Sequence, residues 1–332
     1  MDLSTSYLGL KLKNPIVASA SPLSKNMDTM RRLEDAHVAA IVMYSLFEEQ
    51  IEHESDALDH YKTYGTESFA EALSYFPDAG EYHLEPEEYV ELLSEAASKL
   101  SIPIIGSLNG ITPGGWTNYA KEMEKAGAAA LELNVYHVAT DSAVSAQEVE
   151  RRYSDVLKRV RSSVKIPIAV KLSPFFSSLP NFAQRLVNEG ANGLVLFNRF
   201  YQPDIDLDEL DVTPGVTLSN SNDNRLPMRW IGVLHGKINA SIAASSGIHT
   251  AEDVIKMIMV GADITMMCSA LLLHGPEHIA KTVKEVEHWL TEHEYVSVEQ
   301  MKGSLSHKSI ADPSAYERAN YMKALNRFKS LV

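Results

Sequence analysis

Short β-branched runs alternate with longer amphipathic stretches along almost the whole chain, and that alternation limits the fold more than any other feature. Strands are expected at 15–20, 39–43, 102–107, 129–134, 166–172, 193–198, 241–245 and 264–268. Helical periodicity fills 87–100, 116–126, 146–162, 179–189 and 251–260. Gly127, Gly190 and Gly261 follow three of these helices, where a turn back into a strand favours a left-handed residue. Eight strands with intervening helices predict a (β/α)8 barrel of the α/β class, also called a TIM barrel. A doubly wound open sheet is the alternative, but no Gly-rich dinucleotide fingerprint follows an early strand. Residues 1–332 read as one domain, since such barrels often use a chain of this length.

Composition excludes several functions. The 332 residues carry 44 acidic against 30 basic side chains, a formal net charge of −14. A nucleic-acid or anionic-membrane surface needs clustered Lys and Arg, so neither partner is expected. Cys268 is the one cysteine, which rules out an intrachain disulfide and a Cys-based zinc or iron–sulfur site. His53, His60 and His83 lack metal-ligand spacing, and no metal is expected. Met1-Asp2-Leu3-Ser4-Thr5 lacks the basic-then-apolar pattern of a signal peptide, and no apolar run reaches membrane-spanning length. A cytoplasmic location is the expectation.

Ile166-Pro167-Ile168-Ala169-Val170-Lys171-Leu172-Ser173-Pro174 is an apolar run with a lysine near its end. A strand of that composition is buried on both faces, as in a parallel sheet. An isolated buried charge is too costly to keep, so Lys171 must meet an anion or an electron-rich ligand. Ala129-Ala130-Leu131-Glu132-Leu133-Asn134 ends another such run in an amide. In a barrel, polar residues at the C-terminal ends of strands read as ligand contacts. Ser19, Tyr44 with Ser45, Ser107 with Asn109, Asn134, Lys171, Asn198, Ser246 with Gly247, and Cys268 with Ser269 occupy those places. For Ser19 and Ser107 a helix cap or turn is the alternative.

Ala243-Ala244-Ser245-Ser246-Gly247-Ile248-His249-Thr250-Ala251-Glu252-Asp253 reads as a strand, a small-residue turn and a helix start. Phosphate sites in barrels form from the loops after strands seven and eight. Backbone N–H groups of a tight turn and a helix N-terminus supply the donors. A plain capped turn, with Thr250 as N-cap and Asp253 in the first helical turn, is compatible with that reading. Stretches 45–86 and 199–229 exceed ordinary loop length and are expected as insertions over the active face. Arg225 and Arg229, late in the second, read as salt-bridging residues or as anion contacts. The tail 295–332 is charged and is expected to be helical at 313–328.

These motifs resemble the dihydroorotate dehydrogenase family of FMN-dependent barrels over nearly the whole chain, and most of all its dihydroorotate dehydrogenase-like branch. Leu8-Gly9-Leu10-Lys11-Leu12-Lys13-Asn14-Pro15 resembles the family's opening hairpin and Asn-Pro strand. Leu131-Glu132-Leu133-Asn134, Val170-Lys171-Leu172-Ser173-Pro174, Ser246-Gly247-Ile248 and Ser269-Ala270-Leu271 fall in family order and spacing. The resemblance implies FMN as cofactor. It implies that Lys171 lies near the flavin N1/O2 edge and stabilises negative charge on the reduced ring. Ser246, Gly247, Cys268 and Ser269 would hold the phosphate. Ser19 and Ala20 would line the flavin, and Tyr44 and Ser107 would stand at further cofactor-binding positions. Asn134 and Asn198 would face flavin and substrate. A homodimer, a small-molecule substrate and room for a separate electron-acceptor protein follow from the same resemblance.

The chain departs from the family at four places. Its loop Asn134-Val135-Tyr136-His137-Val138-Ala139 puts His137 where the family carries a Cys or Ser base. A histidine serves as a base near neutral pH; a loop histidine without a catalytic role is the alternative, and Tyr136 is a second proton donor to consider. Tyr44 replaces a lysine beside the flavin. Leu73-Ser74-Tyr75-Phe76-Pro77-Asp78 replaces an Asn-bearing orotate-contacting motif, with Ser74 as its candidate substrate contact. Asn198-Arg199-Phe200-Tyr201 keeps the amide and loses the small residues that follow it. The expected activity is oxidation of dihydroorotate to orotate, a step of pyrimidine biosynthesis, by hydride transfer to flavin with a loop base removing the proton. A different small carbonyl substrate, a lyase or aldolase using Lys171 as a Schiff base, and a flavoprotein without turnover are the alternatives.

Overall fold

Period-two alternation within each apolar run decides the architecture, because successive side chains of a strand face opposite ways. The computed structural model describes residues 1–48, 86–110, 116–200, 202–213 and 215–325. Eight parallel strands form its centre: β1 (Ile16–Ala18), β2 (Ile41–Val42), β3 (Ile104–Gly110), β4 (Ala130–Val135), β5 (Ile168–Leu172), β6 (Gly193–Leu196), β7 (Ser241–Ser245) and β8 (Ile264–Met267). β1 pairs with β2 on one side and β8 on the other, and β2 pairs in turn with β3, so the sheet closes and the expected (β/α)8 barrel forms. Around it lie α1 (Met27–Asp35), α2 (Pro86–Lys99), α3 (Trp116–Lys125), α4 (Ala146–Ser163), α5 (Leu179–Asn188), α6 (Arg225–Leu234) and α7 (Ala251–Val260). A short helix at Ser269–His274 and then α8 (His278–Glu292) follow β8.

Leu131, Leu133, Ile168, Val170 and Leu194 point outward and pack under the helices. Val17, Val42, Ile105, Ala130, Ala169, Val195, Ala243, Ile264 and Met266 point inward and fill the barrel. A hairpin of Thr5–Tyr7 and Leu10–Leu12 closes the N-terminal end. Its Tyr7 and Leu8 join the inner cluster, and the Leu8 N–H donates to Ser241 Oγ at 3.0 Å, at the start of β7. Asn14 ties the first two strands together. Its Oδ1 accepts from the Ile16 N–H at 2.9 Å, and its Nδ2 donates to the His37 carbonyl at 2.8 Å. With the lower end plugged, the C-terminal mouth is where a barrel of this kind takes a ligand.

Gly127, Gly190 and Gly261 all have positive φ, as expected of the residues that end these helices. Other boundaries differ from expectation. Residues 49–85 lie outside the described residues, and with them Ser74; Leu46–Phe47 runs alongside β3, with Leu46 opposite Leu108. In the second insertion, Asp204–Asp206 and Asp211–Thr213 pair as a hairpin. That insertion ends at Asn224 rather than 229, because a capped turn, Ser221–Asn224, runs straight into α6; Arg225 and Arg229 are helix residues. The tail is not one helix over 313–328. Turns at Pro313–Tyr316 and Arg318–Asn320 precede a short helix, Tyr321–Leu325, and the extended backbone of Glu317 (φ −109°, ψ 169°) interrupts them. The preceding segment is tied to the barrel helices instead: the His307 N–H donates to the Gly232 carbonyl at 2.9 Å and the Leu305 N–H to the Met259 carbonyl at 2.8 Å.

Candidate active site

The inward register carries polar side chains to the barrel mouth. Ala130, Glu132 and Asn134 share the inner face of β4, and Ala169 and Lys171 that of β5, with Asn134 opposite Lys171. Lys171 Nζ donates to Glu132 Oε1 at 3.2 Å, with side chains only 6% and 1% exposed. The charge that the sequence required to be paired therefore has a partner inside the protein. Sequence reasoning did not single out Glu132. The signal was present, because an acid inside an apolar run, two residues before Asn134, must share Asn134's face.

The pair keeps hydrogen-bonding capacity to spare. The ammonium has three donors and makes one hydrogen bond among the described residues. Glu132 Oε2 is buried with no partner there. Above them, Asn198 Nδ2 donates to Asn134 Oδ1 at 3.0 Å, joining the ends of β4 and β6. Among the described residues this leaves the Asn134 amide nitrogen and the Asn198 carbonyl oxygen for a ligand. Buried polar groups find partners, so the mouth is built for a molecule with both donors and acceptors. Cys268 lies close enough to feel Lys171: burial pushes its thiol pKa up, and the ammonium opposes that. A raised thiol pKa favours the protonated form. Ser19 is buried at the end of β1, its N–H donating to the Met267 carbonyl at 2.9 Å, and Ala20 beside it is half-buried.

Tyr44 and Ser107 are engaged with α2. The Tyr44 ring meets Tyr89 edge-on at 4.8 Å, and burial, with Glu88 adding, pushes its phenol up to about 12. Ser107 has no exposed surface; its hydroxyl meets Ser45 Oγ at 2.9 Å, and its N–H donates to the Tyr89 phenol at 2.9 Å. Those bonds form a strut between β3 and α2.

His137 stands on the loop after β4, half-buried, with the Arg152 guanidinium 3.1 Å from its Nε2. The same guanidinium nitrogen lies 3.5 Å from Nδ1, so it stands over the ring rather than in line with the Nε2 lone pair. Burial, and then Arg152, hold its pKa below the usual imidazole value. A lowered pKa favours the neutral imidazole, which is the form a base needs.

Ser246 and Gly247, after β7, both have positive φ, 72° and 76°. A Cβ at Gly247 would lie 2.4 Å from the Asn224 backbone nitrogen, so only glycine lets residues 220–224 pack onto this turn. The α7 N-terminus is satisfied internally. Thr250 caps it, and Asp253 Oδ2 accepts from the His249 N–H (3.0 Å), the Thr250 N–H (2.9 Å) and Ser221 Oγ (2.8 Å). Asp253 Oδ1 accepts from Asn224 Nδ2 at 2.7 Å. The capped-turn reading is thus what forms, and the Ser246 hydroxyl donates to the Phe197 carbonyl at 3.3 Å. Asp253→Ala is expected to lose about 3 kcal/mol or more of stability, since several buried donors lose one acceptor together. Denaturant unfolding checks this, and a loss under about 1 kcal/mol would show that the carboxylate does not anchor the corner.

Among the described residues no helix is long and apolar enough to cross a membrane, and no group of His, Cys, Asp and Glu is arranged to hold a metal ion. A family model described as dihydroorotate dehydrogenase matches residues 76–290. The chain is 25% identical over 309 residues to the catalytic subunit of dihydroorotate dehydrogenase B (NAD(+)) of Methanocaldococcus jannaschii, covering 91% of this chain and 97% of that one. The protein of the same name from Thermoplasma volcanium is 25% identical over 309 residues, 91% of this chain and 98% of its own. That of Bacillus thuringiensis is 30% identical over 180 residues, 52% and 57% of the two chains.

Proposed function

The chain belongs to the dihydroorotate dehydrogenase family, whose members are FMN-dependent oxidoreductases acting on a CH–CH bond, and on that premise we propose that its substrate is dihydroorotate and its flavin site the barrel mouth around Lys171. The observation that carries this reading is the buried Glu132–Lys171 pair with donors and an acceptor left over, below the Asn134–Asn198 amides. The pyrimidine edge of a flavin alternates acceptor and donor atoms, so this set suits it. Lys171 would face the N1/O2 edge, where reduction builds negative charge. A held ammonium in a poorly solvated site stabilises such charge more than in water.

Bound FMN supplies the acceptor for the hydride that leaves the substrate carbon. The chain's own residues do the rest. Asn134 and Asn198, fixed to each other, present amide groups that orient a planar carbonyl substrate. The Ser246-Gly247 turn and the Ser269 hydroxyl hold the phosphate at the other end, and Ser19 and Ala20 line the ring. His137 takes the substrate proton as a neutral imidazole. Arg152→Met removes a charge that lowers the His137 pKa, so the acid limb of flavin reduction is expected to move to higher pH. An unmoved limb, followed by stopped flow across pH, would take His137 out of the base role.

The names of the relatives support a separate electron-accepting subunit, and a symmetric homodimer is the commonest assembly for such a chain. The reading is tested by anaerobic addition of dihydroorotate to FMN-loaded protein. Bleaching of the visible flavin bands supports it. Bands that stay unchanged by dihydroorotate, yet bleach with dithionite, leave the cofactor in place and remove the substrate.

A further inference from the structure

We propose that His249 and Ser219 form a hydrogen-bond chain that fixes the Ser269 hydroxyl as an outward donor to the FMN phosphate, which makes His249 a positioning residue for that phosphate. The inference rests on the flavin reading above and adds to it two residues that lie outside the motifs carrying the family resemblance.

The Ser219 N–H donates to Ser269 Oγ at 3.0 Å, and the Ser219 hydroxyl donates to the same oxygen at 3.0 Å. A hydroxyl oxygen has two acceptor sites and one hydrogen. Both acceptor sites of Ser269 are filled, so its own hydrogen points away from Ser219. Ser219 has given its hydrogen to Ser269, so its contact with His249 Nε2 at 3.2 Å must be one it accepts. His249 therefore carries its proton on Nε2, and every donor along the chain runs one way: His249 to Ser219, Ser219 to Ser269, Ser269 outward.

The surroundings hold this direction. Burial keeps the His249 pKa below the usual imidazole value; His274 and His278 add to that, while Asp253 and a hydrogen bond to the Ser219 backbone oppose it. A neutral imidazole has one N–H, and Ser219 receives it. His278 Nε2 stands 2.7 Å from the His249 carbonyl, and the His249 N–H reaches Asp253, so the backbone is pinned on both sides. Ser219 and Ser269 are each 8% exposed, and in so dry a place successive O–H groups polarise one another. Ser269 starts just past β8, and the Ser246-Gly247 turn leaves β7, its pairing neighbour, with Ser245 opposite Met266. The outward donor and the left-handed turn thus share one corner of the mouth. A phosphate, which offers only acceptors, is the ligand group such a donor suits.

FMN and riboflavin differ only in the phosphate, which supplies the test. Apo protein is titrated with each, following the quenching of flavin fluorescence. Ser219→Ala and His249→Leu are expected to lower the preference for FMN over riboflavin about tenfold, with riboflavin affinity kept. His249→Gln restores an N–H at similar reach and recovers most of the preference. An unchanged preference in both variants, an equal loss for the two ligands, or a Gln variant no better than Leu overturns the chain. Wild-type protein that binds neither flavin overturns the flavin reading, and this inference with it. Wild-type protein that binds FMN while the variants keep its preference overturns this inference alone.

Discussion

Lys171→Met is expected to slow substrate-driven flavin reduction by roughly 10²–10³-fold and to cost about 3–5 kcal/mol of stability. The two effects have different origins. Methionine leaves Glu132 buried, with its one partner among the described residues gone, and an uncompensated buried carboxylate is strongly destabilising. The catalytic loss has another source, the missing positive charge at the flavin edge. Glu132→Gln combined with Lys171→Met separates them. An uncharged pair of similar volume is expected to recover most of the stability, since a buried ion pair contributes little over neutral, well-packed groups. Flavin reduction in the double variant stays down by roughly 10²–10³-fold, the usual loss of one preorganised electrostatic donor. Urea unfolding and anaerobic stopped flow read the two quantities. A double variant with normal reduction would show that Lys171 serves only to neutralise Glu132.

His137→Ala is expected to slow flavin reduction by dihydroorotate about 10²–10⁴-fold, the range for a lost general base. Stability should change little, because the side chain is only half-buried and its ring contacts a guanidinium rather than a packed core. FMN affinity should be unchanged as well, which distinguishes a base from a residue that shapes the cofactor site. Full-rate reduction in the variant would return His137 to an ordinary loop role and leave Tyr136, its neighbour, as the next proton-transfer group to test.

The barrel was legible in the sequence because its signal is local. An apolar run of strand length followed by a helical period and a glycine repeats along the chain, and the expected seventh strand matches β7 at both ends, Ser241–Ser245. The strand ends were legible too, since barrel topology sends them to one mouth. Pairings between distant segments were not. Lys171 demanded a partner, but that Glu132 supplies it depends on the alignment of β4 with β5 across 39 residues. Ser219 read as part of a polar loop, and only its bond to Ser269, 50 residues on, ties it to the segment after β8. The tail misled for a related reason: its helix-favouring composition gives way to tertiary bonds such as those of Tyr316 to the Leu305 carbonyl and Glu317 to His307.

The central claim is that the Lys171 ammonium sits against the flavin edge and stabilises its reduced form. The midpoint potential of bound FMN, in wild type and in the Glu132→Gln, Lys171→Met double variant, tests it without reference to substrate. The potential is expected to be lower in the variant by roughly 30 mV or more, a tenfold loss for a two-electron couple. Equal potentials in two FMN-loaded, folded proteins would contradict it.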